Sequence, residues 1–274
     1  MKYPTSPTPS TSTSFAGTGG FASRSTSPLP PPAQYSANCL SATSKSYRFL
    51  RRLFKFNQMD FEFALWQVLY LFIAPQKVYR NFHYRKQTKS QFARDDPAFL
   101  VLLVVSLCVT SLAFAGVLGL TFARTLWFVF YVVFVDCIFA GIIVATFFWL
   151  VTNRFLRNSQ LDPDIEWGYA FDVHLNAFFP PLVILHFFQL FFYGWLVLRS
   201  ELFLSRLLGN TFWLLAFSYY IYITFLGYNC IPHLKNTRYI LLGFPIAFIL
   251  YVVTLVMAWN VTYSFVDFYK YRIY

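Results

Sequence analysis

Charged residues fall along the chain so as to leave five long apolar blocks. No Asp, Glu, Lys or Arg lies between Asp96 and Arg124, between Asp172 and Arg199, between Arg206 and Lys235, or between Arg238 and Asp267. The block between Arg124 and Arg154 holds one charge, Asp136. Each block exceeds the roughly 20 residues that a helix needs to cross a hydrocarbon core of about 30 Å. A charge at the bilayer centre is costly, so blocks of this length without charge are the mark of spans. The pattern predicts an all-α, polytopic membrane helix bundle with five transmembrane helices. They are placed at 98–120, 126–151, 177–198, 207–230 and 239–263, with one long connection, 152–176.

A shorter apolar stretch precedes them. Met59–Ala74 is interrupted by Asp60 and Glu62 near its start, and Pro75 ends or kinks it. It is too short for a confident span and reads as an N-terminal interfacial amphipathic helix or a re-entrant one, with a partial sixth span as the alternative. Residues 1–45 are rich in Ser, Thr and Pro (TSPTPSTSTS, SPLPPP), carry little apolar surface and read as a disordered tail. They hold no apolar signal-peptide core, so the first true span is expected to direct insertion. The chain thus divides into a tail (1–45), a basic segment with the short helix (46–97) and a five-span domain (98–274).

Composition reinforces the membrane assignment. Apolar residues make up 57% of the chain and charged residues 12%, against about 25% charged in an ordinary soluble domain. The four cysteines, Cys39, Cys108, Cys137 and Cys230, are scattered and form neither a disulfide framework nor a metal-ligand spacing. They read as small packing residues. The net charge of +11 is concentrated: residues 45–96 hold eleven Lys or Arg against four Asp or Glu. The positive-inside rule places this segment, and with it the loops 152–176 and 231–238, in the cytosol. The loops near 124 and 199–206 and the C-terminal segment are then lumenal. One sequon, Asn260-Val261-Thr262, falls at the predicted lumenal end of the last span, too close to the membrane to be used.

Few residues offer chemistry. Asp136 is the only Asp, Glu, Lys or Arg inside a predicted span, and such residues face a bundle interior. Cys137, Gly141 and Ala145 make a small-residue ridge beside it, so Asp136 is expected at a close helix contact, hydrogen-bonded across it; an ion or proton role is the alternative. His186, Gln189 and Tyr193 share a face of the third span, and Thr211, Ser218, Tyr222 and Asn229 share one on the fourth. These ridges either hold helices together or, with Asp136, line a small polar cavity. Asp164, Glu166, Asp172 and His174 match no metal-ligand spacing. That loop reads as a cap on the bundle anchored by Trp167, Tyr169 and Phe171. No metal, cofactor or enzyme motif is evident. The basic segment carries Arg51, Arg52 and Lys55 before its short helix and Arg80, Arg85 and Lys86 after it. Anionic lipid headgroups, a cytosolic protein and, through the interleaved aromatics, single-stranded RNA are its candidate partners.

The stretch RRLFKFNQMDFEFALWQVLYLFIAPQKVYRNFHYRKQTKSQFARDDPAF (51–99) resembles the uncoordinated-fifty family of eukaryotic Golgi membrane proteins. So do EWGYAFDVHLNAFFPPLVILHFFQLFF (166–192), GNTFWLLAFSYYIYITFLGYNCIPHLKNT (209–237) and FYKYRIY (268–274). Asp136-Cys137 fits a pair in the family's second span, whereas the first span and residues 1–46 show no distinctive match. The resemblance implies a five-span protein of the Golgi and early secretory pathway with a cytosolic N-terminus. It further implies support of receptor trafficking or assembly, notably of nicotinic acetylcholine receptors, and a link to Arf guanine-nucleotide exchange factors. RNA binding and residence in the nuclear inner membrane or endoplasmic reticulum are also associated with relatives. It carries over no catalytic residues. The expected function is that of a trafficking adaptor; the alternative is a small transporter or lipid-handling protein in which Asp136, His186 and Gln189 converge on one cavity.

Overall fold

The computed structural model describes residues 47, 51, 53, 55–80, 96–158, 164–196 and 199–273. The expected 1–45 tail lies outside them. Among the described residues five helices are long and apolar enough to cross a membrane: α2 (Ala98–Val117), α3 (Phe122–Leu156), α4 (Trp167–Phe191), α5 (Phe203–Asn229) and α6 (Thr237–Val256). Two shorter helices flank them, α1 (Phe61–Ile73) and α7 (Val261–Ile273). The protein is a multi-pass membrane helix bundle, as the charge pattern predicts.

Several boundaries differ from the sequence reading by a turn or more, and two of them are instructive. The third span begins at Trp167 rather than 177. Its first turns carry Asp172, His174 and Asn176, which look like loop residues but are buried against neighbouring helices. The fifth ends at Val256, not 263. A turn through Ala258, whose φ of 54° is left-handed, separates it from α7. The turn residues are apolar or uncharged, so a missing charge could not mark the break.

The loops sort onto two faces. On one, Lys235 N–H donates to the Leu156 carbonyl across 2.8 Å and Asn158 N–H to that of His233 across 3.1 Å. These bonds join the α3–α4 and α5–α6 connections. On the other face, Asn260 Nδ2 donates to the Leu196 carbonyl across 2.9 Å and Arg206 to that of Ala258 across 3.2 Å. The first face also receives the basic segment and is called the basic face below.

α1 enters from the basic face. Asp60 caps it, accepting from Phe63 N–H across 2.9 Å, and the Asp60 amide donates to Asp96 across 2.9 Å. Asp96 also accepts from Ala98 N–H across 3.1 Å, so one carboxylate ties α1 to the start of α2. At the far end Phe72 meets Phe179 and Tyr219, with ring centroids 5.9 and 6.0 Å apart. Phe179 lies twelve residues into α4 and Tyr219 ten residues from the end of α5, roughly 15–18 Å from the basic face. After Ala74 the chain turns, and 75–80 is again helical. On this return arm Tyr79 stands beside Gly227, near the basic end of α5. The whole is a hairpin whose tip lies roughly half-way along α4 and α5, the placement of a re-entrant element.

The outer face of α1 agrees with that placement. Leu65, Leu69 and Ile73, four residues apart, are 55%, 54% and 78% exposed, an apolar stripe suited to lipid rather than to water. The inner face buries Ala64 and Leu71, and Gln67, which donates to Asn176 across 2.7 Å. In a background without other reactive cysteines, Ile73→Cys is expected to resist a membrane-impermeant maleimide that readily labels Lys55→Cys. Rapid labelling at 73 would place this helix flat on the surface instead.

α3 and α4 form the packed centre, with α5 across them; Leu103, Leu107, Phe128, Val132, Cys137, Leu182 and Ile223 are core residues. The small ridge of α3 lies on its buried side: Cys137, Gly141 and Ala145 are all shielded. A Cβ at Gly141 would come within 3.1 Å of the His174 ring, so glycine is what lets α4 approach. Pro180 and Pro181 remove two amide donors from α4, which winds as a π-helix over Val183–Phe188 just beyond them. α6 is peripheral and buries none of its regular helix, Gly243–Val256.

Candidate functional site

The polar residues expected to matter inside the spans are Asp136, His186 and Gln189. Asp136 sits within a nine-residue π-wound stretch, Tyr131–Phe139, and His186 within the π-wound turn of α4. Such stretches widen a helix and re-aim its side chains, often at functional positions.

α7 contacts all three residues. It starts at the face opposite the basic one and runs back along the bundle, burying Thr262, Val266 and Tyr269 in a stripe. Gln189 Nε2 donates to the Thr262 hydroxyl. The Tyr269 ring stands 6.5 Å from the His186 ring and 5.2 Å from Phe128, both edge-on. Arg272 Nη1 donates to both Asp136 oxygens, at 2.9 and 3.2 Å. Its guanidinium also lies 4.4 Å from the centre of the Tyr131 ring and 5.2 Å from that of Phe268, favourable cation–π positions.

The three residues are therefore gathered by one helix but not into one cluster. Their partners are spread over ten residues of α7, roughly 15 Å. Asp136 is bonded across a helix contact, but to α7 and not to α4, the span that its neighbouring ridge meets. The sequence reading passed over Arg272. The signal was there: a lone carboxylate in a span calls for a cation, and Arg272 ends a stretch that already stood out.

The polar ridge of α5 ties down peripheral elements. Thr211 and Tyr251 hydroxyls are 3.1 Å apart, Gln76 Nε2 donates to Tyr222 across 2.6 Å, and Thr237 donates to Asn229 across 2.9 Å. Tyr193 is half-buried, beyond a turn at Phe192. In the α3–α4 connection Asp164 pairs with Arg157, while His174 Nδ1 lies 2.8 Å from the Tyr220 hydroxyl. Tyr169 is buried and donates to the Gly227 carbonyl across 2.6 Å, and Trp167 Nε1 donates to Thr146 across 3.0 Å. Among the described residues no three His, Cys, Asp or Glu gather as a metal site would require. The sequon is folded away: Asn260 is buried, and its amide is engaged by Leu196 and Ser205. Cys108, Cys137 and Cys230 are free thiols.

On the basic face Arg51, Lys55 and Arg80 are exposed around the hairpin. Arg52, Arg85 and Lys86 lie outside the described residues. Lys77 Nζ sits 5.3 Å above the Tyr70 ring on the hairpin itself.

The UNC-50 family sequence model matches residues 49–270. A Drosophila melanogaster protein named Protein unc-50 homolog is 70% identical over 274 residues, covering 100% of this chain and 98% of that one. Proteins of the same name from Mus musculus and Homo sapiens are each 55% identical over 234 residues, 85% of this chain and 90% of theirs. No solved structure matches.

Proposed function

This chain belongs to the UNC-50 family, and from that premise we propose that it is a membrane adaptor of the Golgi and early secretory pathway. The bundle anchors a cytosolic basic face that recruits trafficking machinery, in the first place an Arf guanine-nucleotide exchange factor. Through it the protein supports delivery of receptors, of the nicotinic acetylcholine type, to the cell surface. The partner and the client follow from the resemblance read in the sequence. One observation favours the adaptor over a transporter. Asp136 and Gln189 are bonded to Arg272 and Thr262, ten residues apart on α7, rather than gathered at one point, whereas Arg51, Lys55 and Arg80 are exposed.

The test is charge reversal of Arg51, Arg52, Lys55, Arg80, Arg85 and Lys86. Membrane insertion and Golgi residence are expected to persist, while the exchange factor no longer co-purifies and surface receptor falls. Undiminished co-purification would overturn the reading. Neutralising Asp136 together with Arg272, which leaves the basic face intact, should not affect recruitment.

A further inference from the structure

A groove opens sideways between the re-entrant hairpin and the α5–α6 pair. Phe72, Pro75 and Gln76 wall it on one side, Ser218 and Tyr222 on another, and Phe244 closes it from α6. Its volume of about 500 Å³ is that of a small-ligand site. Ile73 at its rim is 78% exposed and Leu215 45%, so the groove faces the membrane and not the bundle interior.

The chemistry of the walls changes in order with depth. Beyond the lining, toward the basic face, the elements that flank the groove each expose a cation, Arg80 on the return arm of the hairpin and Arg238 at the start of α6. Arg80 follows Gln76 by four residues, on the same helix face. Its neighbour Tyr79 packs beside Gly227, which fixes its level near the end of α5. Arg238 follows Thr237, whose hydroxyl binds Asn229, the last residue of α5. About one turn deeper comes the hydrogen-bonded pair Gln76–Tyr222. Deeper still, Leu215, Phe72 and Ile73 leave an apolar wall, with Leu215 roughly 10 Å below Tyr222 along α5.

Cation, then amide and phenol, then hydrocarbon is the complement of a phospholipid read from phosphate to ester to acyl chain. We propose that this groove binds one anionic glycerophospholipid from the leaflet on the basic face. Its phosphate lies between Arg80 and Arg238, its ester region against Gln76 and Tyr222, and one acyl chain along Phe72 and Leu215. The ligand is a lipid because the groove opens to the bilayer, and an anionic one because the described charges on the flanking elements at this level, Arg80 and Arg238, are positive. The site goes beyond the adaptor reading and does not depend on it.

The test reconstitutes the full chain into phosphatidylcholine vesicles. These carry a trace of either phosphatidylserine or phosphatidylcholine with a photoactivatable group near the end of one acyl chain. Phosphatidylserine is expected to label the peptide containing Leu215–Tyr222 roughly tenfold more than phosphatidylcholine does. Arg80→Glu with Arg238→Glu, at exposed positions that leave the packing alone, should bring the two lipids level. Arg51→Glu with Lys55→Glu should change nothing, because those residues lie off the groove. Leu215→Trp, which fills the groove from its lipid-facing rim, should abolish the preference with the charges intact. Equal labelling by the two lipids in the wild type, or an undiminished preference after either groove variant, would overturn the proposal. The vesicles hold no second protein, so the outcome is separate from that of exchange-factor recruitment.

Discussion

Arg272→Ala is expected to destabilise the folded bundle by about 3 kcal/mol, at the lower end of the range for breaking a buried ion pair. The Asp136 side chain is 30% exposed and that of Arg272 17%, which argues against the upper end. Removing the guanidinium leaves the carboxylate beside Val132, Val133 and Cys137, all shielded from the surface. It also removes the contacts with Tyr131 and Phe268. Asp136→Leu with Arg272→Met takes away both charges and should recover most of the loss, since a buried pair contributes little over well-packed apolar residues. Unfolding of the purified protein in detergent measures each effect. If Arg272→Ala unfolds with the wild type, the pair is not holding α7 to the bundle.

Gly227→Val is the second large effect, expected to cost about 3 kcal/mol or more through overpacking. A Cβ at 227 would already lie 2.7 and 2.8 Å from the two methyl carbons of Val173 and 3.4 Å from the Tyr79 ring. Val173 cannot swing aside, because it stands in the buried cluster with Tyr169 and Tyr228. The loss should be felt in the hairpin as well, since Tyr79 belongs to its return arm. Val173→Ala in the same chain opens space and should restore much of the stability. Gly116→Ala provides the contrast: nothing lies within 4 Å of the added carbon, and a helical Gly→Ala change gains roughly 0.5–1 kcal/mol. Equal stability of the Gly227→Val and wild-type proteins would mean that α4 and α5 do not approach as closely here as described.

These positions show what was legible in the sequence. The spans were, because five charge-free blocks have one inexpensive explanation. So was the Cys137–Gly141–Ala145 ridge, since spacing four places small residues on one helix face. The partners were not. Arg272 is 136 residues from Asp136, and periodicity carries no information over such separations. Gln67 and Asn176 look like ordinary polar residues until the hairpin brings them together. The hairpin itself was left open between two placements, because lying on a membrane and dipping into it require much the same composition. Only the contact of Phe72 with Phe179 and Tyr219 distinguishes them. Asp172 and His174 misled for a related reason. Polar side chains near a span boundary signal a loop only where nothing packs over them.

The link between Asp136 and Arg272 also sets a schedule for the protein's making. Synthesis proceeds at about 5–20 residues per second, so the 136 residues separating the two take roughly 7–27 s to add. Throughout that interval α3 carries a carboxylate whose partner does not yet exist. Final packing of the centre must therefore follow translation of α7, however early the spans insert. A chain cut short between residues 257 and 271 keeps every span yet presents an unmatched acid, which gives membrane quality control a single feature by which to tell it from the finished protein.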